Sequence, residues 1–313
     1  MQLRRAAVAA GALAGVLLSH EGDVAAVAQA AAAARVDRVQ LMRDLRTLAD
    51  PAFEGRRAGT PGALRARRWI ADQFAAIKLL PAGDSGYVQI FSSAGRGVSP
   101  GDAANVVGRV DARSPDLRAL VVSAHFDHLG IIRGSVFPGA DDNASGVAVL
   151  LAVARHLAVN APKHPVYFAA FDAEEGGLLG ARAFLDSPPV PRDRMALNIN
   201  LDMVSRSARR ELYASGTQYY PWLIKVLDPV RKRSAISLKY GHDLPEQGQD
   251  DWTMQSDHGV FRRRGIPHVY FGVENHDDYH RPTDTADRID PGFFGDAADT
   301  ILDAVVTLDR DIP

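Results

Sequence analysis

Val166-Tyr167-Phe168-Ala169-Ala170-Phe171-Asp172-Ala173-Glu174-Glu175-Gly176-Gly177-Leu178-Leu179-Gly180 runs from an unbroken apolar segment into two adjacent glutamates and then into glycine. Six apolar residues bounded by a glycine-rich turn read as a strand buried on both faces. The glutamates therefore stand where a strand gives way to a helix, the edge at which open α/β sheets bind their ligands. Side chains of adjacent residues diverge, so one carboxylate can hold a metal ion while its neighbour moves protons on the water held there.

Three further segments bring ligand-type residues to the ends of apolar runs. Leu117 to Ser123 leads into His125-Phe126-Asp127-His128-Leu129-Gly130, and Ala196 to Leu201 ends at Asp202. Pro138-Gly139-Ala140-Asp141-Asp142-Asn143-Ala144-Ser145-Gly146 opens a helix expected from about Val147 to Leu157, and Tyr279-His280-Arg281-Pro282-Thr283-Asp284-Thr285 lies far downstream. The chain has no cysteine. Imidazole and carboxylate without thiolate suit zinc, manganese or cobalt in a hydrolytic site rather than a structural zinc knuckle.

The flanking segments complete an alternating pattern. Helices are expected over Asp37–Leu48, Leu64–Lys78, 177–185, 219–228, 257–264 and 292–309. Strands are expected over Val88–Phe91, Ala104–Val110, 117–123, 166–171, 196–201, 210–214, 236–240 and 267–271. Strand–helix alternation predicts an α/β fold, a mostly parallel central sheet with helices on both faces. No internal repeat and no room for an inserted domain are visible, so residues 36–313 read as a single catalytic domain. Of the 313 residues, 46% are hydrophobic, which is ample for a core, and the net charge of −2 leaves no basic stripe for nucleic acid.

The N-terminus differs in kind. Arg4-Arg5, an apolar run from Ala6 to Ser19 and the small residues Ala28-Gln29-Ala30 have the order of a secretory signal peptide, placed at residues 1–30. The run falls short of the roughly 20 apolar residues a membrane span needs. The expectation is an exported protein, periplasmic or secreted, with no stable membrane anchor once the leader is cleaved.

With these motifs in their order, from Glu54-Gly55-Arg56 and Gly59-Thr60-Pro61-Gly62 to Pro282-Thr283-Asp284-Thr285, the chain resembles the zinc aminopeptidases of family M28, co-catalytic di-zinc exopeptidases. The resemblance covers nearly everything after the first forty or so residues. It implies a zinc-exopeptidase-like, phosphorylase/hydrolase-like fold that binds two Zn2+ per chain and acts on peptides as a monomer. By resemblance, His125, Asp142, Glu175, Asp202 and His280 are the metal ligands, with Asp142 bridging and Asp141 shaping the loop. Glu174 matches the general base, Asp127 the partner that fixes the His125 ring, and Tyr279 a hydrogen-bond donor to the scissile carbonyl or a wall of the pocket. His128 is not assigned as a ligand. Which terminal carboxylate accompanies which histidine comes from the family, because the residues alone leave it open. Asp257, in Ser256-Asp257-His258, either supports the site from behind or lies near the substrate, and His258 is structural.

Other chemistries fit less well. Gly97-Val98-Ser99-Pro100-Gly101 has the glycine–serine spacing of a nucleophile elbow but lacks its strand-and-helix flanks. His-Glu-x-x-His is absent, against a single-zinc thermolysin design. Carboxypeptidase or dipeptidase activity, and the one-zinc glutaminyl cyclases of similar architecture, stand as the alternatives.

Overall fold

A computed structural model describes residues 35–92 and 103–313; the leader segment and the Gly97–Gly101 string lie outside the described residues. Asp37 caps the first helix, α1 (Arg38–Leu48), accepting from the N–H groups of Val39 and Gln40. Thr60 does the same for α2 (Pro61–Ile77), which carries proline in its first turn. Strands β1 (Leu80–Pro81), β2 (Val88–Phe91), β3 (Ala103–Val110) and β4 (Ala119–His125) follow, then a hairpin of β5 (Gly130–Ile132) and β6 (Ser135–Phe137). The chain continues through α3 (Gly146–Val159), β7 (Val166–Phe171), α4 (Leu179–Asp186), β8 (Met195–Leu201) and β9 (Glu211–Ser215). It closes with α5 (Trp222–Arg233), β10 (Ser237–Tyr240), α6 (His258–Arg263), β11 (His268–Gly272) and α7 (Pro291–Asp311). Arg35–Pro313 forms one compact unit.

Nine of these strands make one sheet among the described residues, in the order β1-β3-β7-β4-β8-β11-β9-β10 with β2 also on β3. The central strands β7, β4, β8 and β11 run parallel. Antiparallel β3 and β9 flank them. The sheet is mixed, with mostly parallel strands, as the alternating pattern predicts. β4 is buried along its whole length and β7 likewise, which is why neither sequence alternates.

Helices cover both faces. Val121, Tyr167, Ala169 and Phe171 pack with Phe184 of α4 and Phe261 of α6. The intervening residues Leu120, Val122, Phe168 and Ala170, also buried, point to the other face, where α3 lies on β4 and against α1 and α7. The crossover through α3 carries the chain from β4 to one side, and the crossover through α4 returns it past β4 to β8 on the other. The carboxyl ends of β4, β7, β8 and β11 thus meet at a point where the strand order reverses, and a crevice opens there.

β4 starts and ends two residues later than expected, so His125 is its last residue, still in register with Phe171. The β5–β6 hairpin and the two-residue β1 were not anticipated. Their apolar runs are too short to show a period, and Gly130 and Gly134, at φ of 83° and 81°, set the hairpin's turns.

Candidate metal centre

The ends of β4, β7 and β8, the loop before α3 and the segment after β11 each deliver part of one polar cluster. At the end of β4, His125 turns its Nε2 into the crevice, 3.2 Å from Asp202 Oδ1 and 3.4 Å from Asp142 Oδ1. Its Nδ1 lies 3.2 Å from the carbonyl of Asp127 and 3.6 Å from that residue's carboxylate. The Asp127 carboxylate is instead engaged across the strand ends, accepting from the N–H of Glu174 at 2.9 Å and of Glu175 at 3.4 Å. The Asp127 carbonyl is thus nearer to the His125 ring than its carboxylate is, and the carboxylate accepts from the backbone of the glutamate pair.

Asp142 stands on the loop between β6 and α3. Its Oδ1 faces His125, while Oδ2 lies 3.1 Å from His280 Nε2. The two oxygens of one carboxylate therefore look towards two histidines. Asp284 cradles this loop, accepting from the backbone N–H groups of Asp141 and Asp142 at 3.0–3.1 Å. Burial and the neighbouring Asp141 push the Asp284 carboxyl up to about 6. Asp141 turns away from the cluster, accepting from both N–H and hydroxyl of Ser205 and facing His276 at 3.1 Å. These contacts tie the loop to the segment that follows β8. Gly139 is required here, since a Cβ would fall 2.0 Å from the Asp142 carbonyl oxygen.

Arg56 secures the same loop from below. Fully buried, it donates to the carbonyls of Leu48, Phe126, Pro138 and Gly139 at 2.6–2.8 Å. Burial lowers its pKa to about 10, opposed by the field of Asp142 and Asp127, so it stays charged at neutral pH. Its motif was visible in the sequence, but nothing in a loop arginine announces that it will be buried.

The glutamate pair follows β7. Asp172 accepts from Ala104 and Ala173 N–H, and Asn105 accepts from Asp172 N–H and donates to the Gly180 carbonyl. This fixes the turn against β3. Burial raises Asp172 to about 8. Burial also pushes Glu174 well above the usual carboxylate range; His125 opposes that shift, and Asp257 and Asp202 reinforce it. Glu175 goes the other way: burial would raise it, but the hydrogen bonds to His128 and His280 hold it far below. His128 Nδ1 is 2.9 Å from Glu175 Oε1 and His280 Nε2 is 3.5 Å from Oε2. The two neighbours are thus set apart electrostatically as well as in direction.

Asp202 and His280 complete the cluster. Left-handed backbone brackets it, with Ala173, Met203 and His280 at φ of 57°, 55° and 55°. Each such non-glycine residue costs on the order of 1 kcal/mol or more, and strain of this kind gathers at functional sites. Tyr279 stacks on the His280 ring at 3.9 Å and lines the crevice. Asp257 is fully buried behind the cluster, neither carboxyl oxygen has a hydrogen-bond partner, and burial raises it to about 8.

Two groups of ligand atoms emerge, His125 with Glu174 and Asp202, and His128 with Asp142, Glu175 and His280; within each group the atoms lie within 4.8 Å of one another. Burial would depress His125, yet Asp202 and Glu174 raise its proton affinity well above the ordinary value. Among the described residues no lysine or arginine pairs with Asp127, Asp142, Glu174, Glu175 or Asp202. So many buried carboxylates without a basic partner fit bound dications, and the nitrogen–oxygen donor set fits zinc.

The sequence profile of Peptidase family M28 matches residues 105–305. The chain belongs to this family of metallopeptidases. The M28 match takes in all five ligand candidates together with Glu174 and Tyr279. Aminopeptidase YwaD of Bacillus subtilis is 32% identical over 205 residues, 62% of this chain and 41% of that protein. A vacuolar membrane protease of Candida albicans is 28% identical over 207 residues, 65% of this chain and 23% of that one. The chain thus spans less than half the length of either relative. Among solved M28-like folds, a zinc aminopeptidase from Bacillus subtilis superimposes with a TM-score of 0.67 at 20% identity, covering 86% of this chain and 94% of that one. Porphyromonas gingivalis glutaminyl cyclase does so with a TM-score of 0.70 at 18% identity, covering 87% and 99%. At such identities these two speak for the fold. No helix among the described residues is long and apolar enough to cross a membrane.

Proposed function

We propose that this M28 protein is a di-zinc aminopeptidase that removes N-terminal residues from peptides, and that residues from about 36 onward form its one catalytic domain behind an export leader. The observation that carries the reading is Asp142, whose Oδ1 and Oδ2 face His125 at 3.4 Å and His280 at 3.1 Å. A carboxylate so placed would contribute a donor to each cation of a two-metal site. His125 and Asp202 would hold one zinc, and His280 and Glu175 the other. Bound zinc supplies Lewis acidity towards the attacking water and the scissile carbonyl.

The chain's own groups do the rest. Glu174, raised by burial, takes the proton from water as its oxygen attacks the carbonyl carbon. It passes that proton to the amine nitrogen as the C–N bond breaks. Tyr279 stands beside His280 to donate to the developing oxyanion. The crevice, about 330 Å³, is walled on its apolar side by Leu178, Met203, Trp252, Met254 and Val273.

Metal analysis together with a panel of aminoacyl-p-nitroanilides tests the reading. About two zinc equivalents are expected, with activity lost to a chelator and restored by zinc. One equivalent at full activity would favour a cyclase-like enzyme, and cleavage confined to C-terminal residues would make it a carboxypeptidase.

A further inference from the structure

His128 falls in the same motif as His125 and is not assigned as a ligand from the sequence. The structure gives it a different place. It is fully buried, and Gly139 packs against its ring so tightly that a Cβ there would lie 2.6 Å from Cγ and Cδ2. Nδ1 points into the second ligand group, 2.9 Å from Glu175 Oε1 and 3.6 Å from Asp142 Oδ2. His280 Nε2 stands 3.1 Å from Asp142 Oδ2 and 3.5 Å from Glu175 Oε2. Ligands at about 2.0–2.1 Å from a tetrahedral zinc are separated by about 3.3 Å. The His128 separations bracket that edge just as those of His280 do.

We infer that His128 is a fourth protein donor at the second metal position, so that His128, Asp142, Glu175 and His280 form a closed set. The inference rests on the two-metal reading above and adds an asymmetry to it. The His125 position would draw on three protein donors, His125, Asp202 and the shared Asp142, with Glu174 of the same group kept as the base. Closed four-donor sets are those of structural zinc, and three-donor sets those of catalytic zinc. The second position then binds first and tightly, holding the Asp142 loop and the Glu175 turn together. The first is the weaker, reactive position.

Zinc titration of the metal-free protein against a chromophoric chelator, with wild type, His128→Asn and His125→Asn, reads this directly. Wild type should take up two equivalents whose affinities differ by about 100-fold or more. His128→Asn should weaken the tighter one by at least about 100-fold and leave the other, whereas His125→Asn should do the reverse. X-ray absorption of wild type carrying one zinc equivalent needs no variant and should show two imidazoles on the metal. Tight binding that survives His128→Asn within about threefold, or one imidazole on the first zinc, would overturn the inference and leave His128 as a hydrogen-bond donor to Glu175. Uptake of one equivalent by wild type would instead sink the two-metal reading, and the imidazole count would still judge His128.

Discussion

Glu174 and Glu175 are neighbours in sequence with opposite electrostatic fates, so substitutions should separate them. Glu174→Gln is expected to keep its zinc while kcat falls by roughly 10²–10⁴, the usual worth of a general base. Glu175→Ala should lose zinc first, as metal analysis after gel filtration would show; swapped phenotypes would reverse the assignment. Tyr279→Phe removes a hydroxyl but keeps the stack on His280. If that hydroxyl serves the oxyanion, kcat and kcat/KM fall together by roughly 10–10³, with KM and zinc content nearly unchanged. A rise in KM alone would make Tyr279 a pocket wall. The residues gathered at the centre were all quotable from their motifs. The partners of Asp127 and the placement of His128 were not, because both depend on how β4 and β7 are aligned across the sheet.

At the scale of elements, the cluster depends on loops that no strand pairing holds. Arg56 ties the end of α1, the end of β4 and the Asp142 loop together through four carbonyls. Arg56→Ala would leave those acceptors buried and unsatisfied, at a cost of roughly 3–5 kcal/mol in urea unfolding of the metal-free protein. Arg56→Lys should recover little, since a compact ammonium cannot reproduce the planar fork of donors. An unfolding midpoint within error of wild type would show that the carbonyls find other partners. The strands and helices themselves were legible to within a few residues, because long apolar runs and capping residues such as Asp37 and Thr60 are local signals. The hairpin over 130–137 was missed, its short strands being set by loop geometry rather than by a period.

For the molecule as a whole, acid should erode stability through a pair of histidines beneath the crevice. His258 and His268 lie 5.0 Å apart, ring to ring, and both are fully buried. Burial lowers them to about 4 and about 2, below the roughly 6.5 of an unfolded chain. The unfolded state therefore binds more protons below that value. The stabilisation is fully present above pH of about 6.5 and is lost as pH falls towards the folded values. Between pH 7 and 5 one such histidine accounts for about 2 kcal/mol. His268→Leu in the chelated protein should flatten the loss by about that much, and an unchanged slope would mean that the ring is already solvated. The M28 profile begins at residue 105, whereas Arg56 is supplied by the segment before it. A fragment cut to those boundaries would contain all five ligand candidates and still lack the bolt that keeps their loop shut. The family match and the smallest working unit thus part company here: an excised 105–305 piece should bind zinc poorly, and adding residues 35–104 back as a separate chain should restore the binding.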